Sequence, residues 1–272
     1  MRKRKLNCKK LIFILIAVSS VVIIIFAFNK PKPKVSSEIS ANPSNTQAFQ
    51  KLKKMINQDS RIEIILSNYE QYPEELLEML SNNIDMVDFV IDYPDKKGNV
   101  YANNIGEVTK GTIPLLLQWD QRWGYANYGN SSIAVSGCGP TVLSMVITGL
   151  TGDNTITPYI VAKYAQDNGY YINGSGSSWT LMSKGAKYFG IIGKEMSLSK
   201  ESVCSKLKAG IPIICSVHAG DFTTSGYFIV LTGIKDGKIQ LNDPNSMQRS
   251  HQLWDYERIE SQIDNLWSFT TK

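Results

Sequence analysis

Histidine is nearly missing from this chain: two in 272 residues, His218 and His251. Cysteine is sparse too, with four residues and no Cys-x-x-Cys spacing, so the usual zinc cages are excluded. There is no phosphate-binding glycine loop, nucleotide fingerprint, internal repeat or low-complexity tract, and no cofactor or metal is expected. Acidic residues are absent from the first 34 positions, which hold nine of the 29 basic residues. The remaining 238 residues carry 20 basic against 24 acidic side chains, a net of −4. The formal charge of +5 therefore belongs to the N-terminus. The rest lacks the basic footprint that nucleic-acid binding requires, and no nucleic-acid partner is expected. With 43% apolar residues, global disorder is excluded as well.

Charge is also absent from Leu11 to Phe28, an 18-residue apolar run. As a helix it would be about 27 Å long, close to the thickness of a bilayer core. Six positive charges in residues 1–10 form a basic cap that the positive-inside rule keeps in the cytoplasm. This predicts a single-pass transmembrane anchor at 11–28 with the C-terminal domain extracellular. Secretion after signal cleavage is the alternative, although Phe26-Ala27-Phe28-Asn29 is a poor cleavage site. Residues 29–46, with Pro31, Pro33 and Pro43 among polar residues, read as a linker. Residues 47–98 recur at helical spacing through Leu52, Ile56, Leu76, Leu77 and Leu80, predicting two to four short helices that pack or space. Pro73-Glu74-Glu75 reads as a helix start and Asp92-Tyr93-Pro94 as a helix stop.

Cys8 lies in the basic cap. Cys204, in an expected helix (199–209), and Cys215, in an apolar strand, read as core residues. Cys138 differs. Gly137-Cys138-Gly139-Pro140 precedes an apolar run at helical spacing, with proline suited to the first turn. A thiol at a helix N-terminus is placed where amides and the dipole favour thiolate. A nucleophile also needs a base and an oxyanion donor. Gln118 and Gln121 offer side-chain amides. Downstream, Tyr227–Ile234 reads as a buried strand, 235–238 as a hairpin turn, and 239–243 as the return strand ending in Asn242-Asp243-Pro244-Asn245.

These pieces resemble the papain-like cysteine peptidases of the bacteriocin-processing (double-glycine leader) type, in particular membrane-anchored or secreted relatives from Gram-positive bacteria. Gln-Trp-Asp-Gln-Arg-Trp-Gly, Ser-Gly-Cys-Gly-Pro-Thr, Gly-Ser-Ser-Trp, Gly-Tyr-Phe-Ile-Val-Leu-Thr-Gly and Asn-Asp-Pro-Asn carry the resemblance, over residues 112–270. It implies an α+β, papain-like cysteine peptidase fold: a central helix starting at Cys138, packed on an antiparallel sheet from strands near 211–217, 227–234 and 239–243. Helical pieces are expected at 157–167 and 178–189, with Trp254, Tyr256, Ile259 and Trp267 closing the core.

The resemblance makes Cys138 the nucleophile, Gln118 (or Gln121) the oxyanion donor and Asp243 the residue that orients the catalytic histidine. The family pattern has that histidine where Tyr227 stands. A phenol of pKa near 10 is protonated at pH 7 and cannot take the thiol proton. In an ideal hairpin, moreover, Asp243 would face Val230, so contact with position 227 needs a bulge. His218 is a candidate surrogate base, and His251 a weaker one. Three readings follow: an impaired or inactive pseudoenzyme that binds a peptide or cell-wall-associated protein, an active hydrolase using His218, or an interaction module. The first two expect an open groove at Cys138, lined by residues 173–178.

Overall fold

The computed structural model describes residues 46–272. The expected basic cap, membrane span and nearly all of the linker lie outside the described residues. Among the described residues, no helix is long and apolar enough to cross a membrane.

Four short helices come first: α1 (Gln47–Met55), α2 (Arg61–Ser67), α3 (Glu74–Asn82) and α4 (Val87–Lys96). Thr46 caps α1 by accepting the Phe49 amide at 3.2 Å. Pro73 precedes α3, and Glu74 and Glu75 lie in its first turn. The expected stop at Asp92-Tyr93-Pro94 is corrected: Pro94 lies inside α4. The amide it lacks falls in the last turn, while Phe89, Val90 and Tyr93 hold the helix on the core. These helices are more than a spacer. Leu52, Ile62, Leu77 and Phe89 share a core with Trp119, Tyr125 and Ala134 of the following segment. The Phe89 and Tyr125 rings stack at 4.1 Å and 9°.

The remaining chain is built around α5 (Cys138–Thr151). Val142, Leu143, Met145 and Val146 are fully buried, as expected of a helix that is apolar all round. It ends at Gly152 in the left-handed conformation (φ 81°), where glycine carries no Cβ penalty. Then come α6 (Pro158–Asp167) and a hairpin pairing Tyr171–Ile172 with Gly176–Ser177. The helical piece expected over 178–189 is present as a helical turn, Thr180–Ser183, followed by a 3-10 turn, Gly185–Phe189. Gly185 and the left-handed Gly190 interrupt and end it.

The sheet contains β1 (Ile191–Glu195), then, after helix α7 (Lys200–Lys208), β2 (Ile213–Val217), β3 (Tyr227–Lys235), β4 (Lys238–Asn242) and β5 (Ile263–Thr271). Its order is β1-β5-β2-β3-β4, all antiparallel. Side chains alternate between faces. Ile214, Val230, Trp267 and Phe269 pack in the α5 core. Cys215, Ile229, Leu231, Trp254, Tyr256 and Ile259 pack on the other face with Val203 and Leu207 of α7. This is an α+β fold with a helix that starts at the cysteine lying on an antiparallel sheet.

Candidate active site

Cys138 is the first residue of α5. It keeps some surface in solvent, but protein crowds the sulfur. Burial pushes the thiol up to about 11, and the negative charge of Asp243 acts in the same direction. Amides of Phe228 and Gly139 directed at the sulfur oppose this but do not offset it. The expectation that the helix start lowers this pKa is therefore corrected: desolvation outweighs the dipole. On the order of 10⁻⁴ of the thiol is ionised at pH 7.

Tyr227 opens β3. Its hydroxyl lies 3.1 Å from Asp243 Oδ1 and 3.2 Å from Gln118 Oε1. One hydroxyl proton serves only one of these acceptors at a time. Burial, the Asp243 charge and the neighbouring Cys138 together hold the phenol pKa well above its ordinary value. The contact depends on an irregularity in the hairpin. The β3–β4 register shifts between Leu231 and Gly233, so Asn242 rather than Asp243 faces Val230. The extra residue, Thr232, advances Asp243 by one step toward Tyr227.

Gln118 is buried at 1% exposure, and its Nε2 donates to Ala134 O at 2.6 Å. That bond orients the amide with its oxygen toward Tyr227. The Gln118 backbone amide also donates to Pro244 O at 2.7 Å, tying this residue to the Asp243 turn. Gln121 lies elsewhere, accepting from Lys96 Nζ at 3.1 Å.

Asp243 is fully buried. Oδ1 also accepts the Asn245 amide at 2.8 Å, and Oδ2 accepts from Arg249 Nε at 2.5 Å. Sequence reasoning missed Arg249. It sits in helix α8 (Met247–His251), capped by Ser246, whose hydroxyl accepts the Arg249 amide. The available signal was a Ser-x-x-Arg cap three residues beyond Asp243. The helices α1–α4 also touch this turn. Asn83 Nδ2 and Trp119 Nε1 both donate to Asn245 O, at 2.7 and 3.0 Å.

Neither histidine joins this cluster. His218 Nδ1 lies 2.9 Å from Asp264 Oδ1, which turns the ring toward β5 and away from β3. No hydrogen bond links it to Cys138, Tyr227 or Asp243 among the described residues. His251 is exposed at the end of α8. Of the stretch 173–178, Gly176 and Ser177 lie against the Cys138 turn, packed on it rather than lining the expected open groove. A Cβ on Gly139 would meet Ser177 Oγ at 2.6 Å, and that hydroxyl shares a hydrogen bond of 2.7 Å with Tyr128. Trp179, 46% exposed, donates its indole N–H to Ser216 at 3.1 Å. Two surface depressions, of about 470 and 190 Å³, lie on α6 and not at Cys138.

A thiol at a helix start, an amide side chain and a carboxylate turn are thus brought together around the start of β3. The Peptidase_C39 like family matches residues 110–272, more than half of the chain. The chain belongs to the Peptidase_C39 like family. Its described cysteine centre is accordingly peptidase-like. No curated protein matches the chain. Among solved structures, it is similar to the peptidase domain of Streptococcus ComA, a bifunctional ABC transporter involved in a quorum-sensing pathway. Identity is 18% and the TM-score 0.42, covering 59% of this chain and 99% of that one. It is also similar to a protein described as a C39-like peptidase from Bacillus anthracis. There identity is 16% and the TM-score 0.35, covering 61% of this chain and 98% of that one.

Proposed function

We propose that this member of the Peptidase_C39 like family is a catalytically silent relative of the peptidases, anchored by residues 11–28 with its peptidase-like domain outside the cell. Tyr227 stands where the resemblance expects the catalytic histidine. The observation that carries the reading is the Tyr227 hydroxyl between Asp243 and Gln118. A phenol held above its ordinary pKa takes no proton from a thiol. The aspartate that would orient an imidazole holds Arg249 instead. The oxygen of Gln118, not its N–H, faces the centre. A general base contributes typically about 10²–10⁴-fold, and no side chain here supplies it.

Its role is then binding of an extracytoplasmic peptide or wall-associated protein on the surface around Trp179, since neither depression lies at Cys138. Exposed Trp179 and the partly solvent-reaching Cys138 provide the contact surface. The deciding experiment compares the parent chain, Tyr227→His and Cys138→Ala in cleavage of a mixed peptide pool and in iodoacetamide alkylation of Cys138. The parent should cleave nothing, and Tyr227→His should alkylate at least about tenfold faster near neutral pH. Cleavage by the parent that disappears in Cys138→Ala would sink the reading and return His218 to consideration. Protease accessibility of the domain on intact cells tests the topology.

A further inference from the structure

Away from Cys138, two depressions lie on one helix. The depressions of about 470 and 190 Å³ flank α6 and share Lys163 and Asp167. The larger one is walled by aromatic rings. Tyr164 stacks on Tyr188 at 4.3 Å and 18°, and Phe189 meets each of them edge-on at 5.0 Å. Tyr188 leaves 71% of its surface in solvent, so burial does not explain its place.

The smaller depression is polar. Gln166 uses its side-chain oxygen on the Gly129 amide at 2.8 Å, which leaves its own NH₂ group open. Asn127 makes no side-chain hydrogen bond among the described residues. In the larger depression, Asn168 Nδ2 is held by Tyr164 O at 2.9 Å, leaving Oδ1 open. The charges in the lining cancel, with Lys163 and Asp167 paired at 2.8 Å.

We propose that the α6 groove binds a neutral oligosaccharide. A pyranose offers an apolar C–H face and a rim of hydroxyls that both donate and accept. The Tyr164–Tyr188 pair matches the face, and the open amide groups of Asn168, Gln166 and Asn127 match the rim. Two depressions that share the Lys163–Asp167 pair in their linings fit successive sugar units rather than one. A cancelled charge disfavours polyanions. The larger depression is walled by α6 and the 3-10 turn Gly185–Phe189, so it presents no sheet edge on which an extended peptide could add, and the smaller borders only the two-residue strand Asn127–Tyr128. The proposal does not depend on the fate of Cys138.

The test is calorimetric titration of the full-length protein with N-acetylglucosamine hexamer and with maltohexaose, alongside a peptide pool. At least one sugar should bind saturably, at roughly millimolar affinity as suits an open groove. Tyr188→Ala, at an exposed position, should weaken that binding about tenfold and leave Cys138 alkylation unchanged. Gln166→Ala should weaken the hexamer more than the matching disaccharide. Failure of both sugars to bind, sugar binding indifferent to Tyr188→Ala, or peptide binding that Tyr188→Ala abolishes in their place would each overturn the proposal.

Discussion

Asp243 is fully buried, and a buried carboxylate is kept only with compensating partners. Arg249, Tyr227 and the Asn245 amide supply them here. Arg249→Gln removes the positive member and strands the charge, and the expected loss is about 3 kcal/mol in urea unfolding. Adding Asp243→Asn to that variant should recover much of the loss, because an uncharged side chain no longer needs the guanidinium. Cys138 gives a second expectation, in pH. With its thiol raised to about 11, the reactive thiolate is depleted at every pH below that value. Iodoacetamide modification of Cys138, followed by peptide mass spectrometry, should accelerate about tenfold per pH unit from pH 7 to about 10. A plateau near pH 9 would mean an ordinary thiol. The glycines and proline around Cys138 made its helix-start position readable from sequence. Its pKa was not readable, because burial depends on residues such as Phe228, far away in the chain. Arg249 was hidden for a similar reason: a lone arginine in a polar turn carries no sign of what it faces.

At the scale of elements, the site is made by two close fits. The extra residue at Thr232 shifts the β3–β4 ladder by one and brings Asp243 within reach of Tyr227. An ideal hairpin read from sequence has no such shift, so sequence could say that a bulge was needed but not that one existed. The other fit is Gly139 against the hairpin strand Gly176–Ser177. A side chain at 139 would overlap Ser177 Oγ and Cβ, at 2.6 and 2.7 Å. Gly139→Ala should therefore push the hairpin off the start of α5, break the Tyr128–Ser177 bond and cost about 1–3 kcal/mol. The same displacement should open Cys138, so its alkylation should speed up even as the fold weakens. Unchanged stability together with unchanged alkylation would show that the hairpin does not cover the thiol. The strands themselves followed their β-branched and aromatic content closely, since 213–217 and 228–231 are buried on both faces and tolerate little else.

At the scale of the whole molecule, the helices before the peptidase-like domain behave as part of it. Their apolar stripes were legible in sequence, but the partner they cover was not, because amphipathic periodicity gives a face and no address. The described residues, 46–272, lie in one compact unit. Trp119 packs in the helical core through its ring while its N–H holds Asn245 O, two residues beyond Asp243. Asn83 of the helical segment grips the same carbonyl. The peptidase-like motif Gln118-Trp119 is thus shared between a site and an interface. If the helices buttress the site, a cavity made in them must be felt at Tyr227. Phe89→Ala removes the ring stacked on Tyr125 and should cost about 3–5 kcal/mol. Unfolding should remain a single transition, with helical circular dichroism and Cys138 alkylation shifting to lower denaturant together. If the helices melt first while Cys138 stays protected, the segment is a separate unit, and Tyr227 and Arg249 hold the Asp243 turn without it.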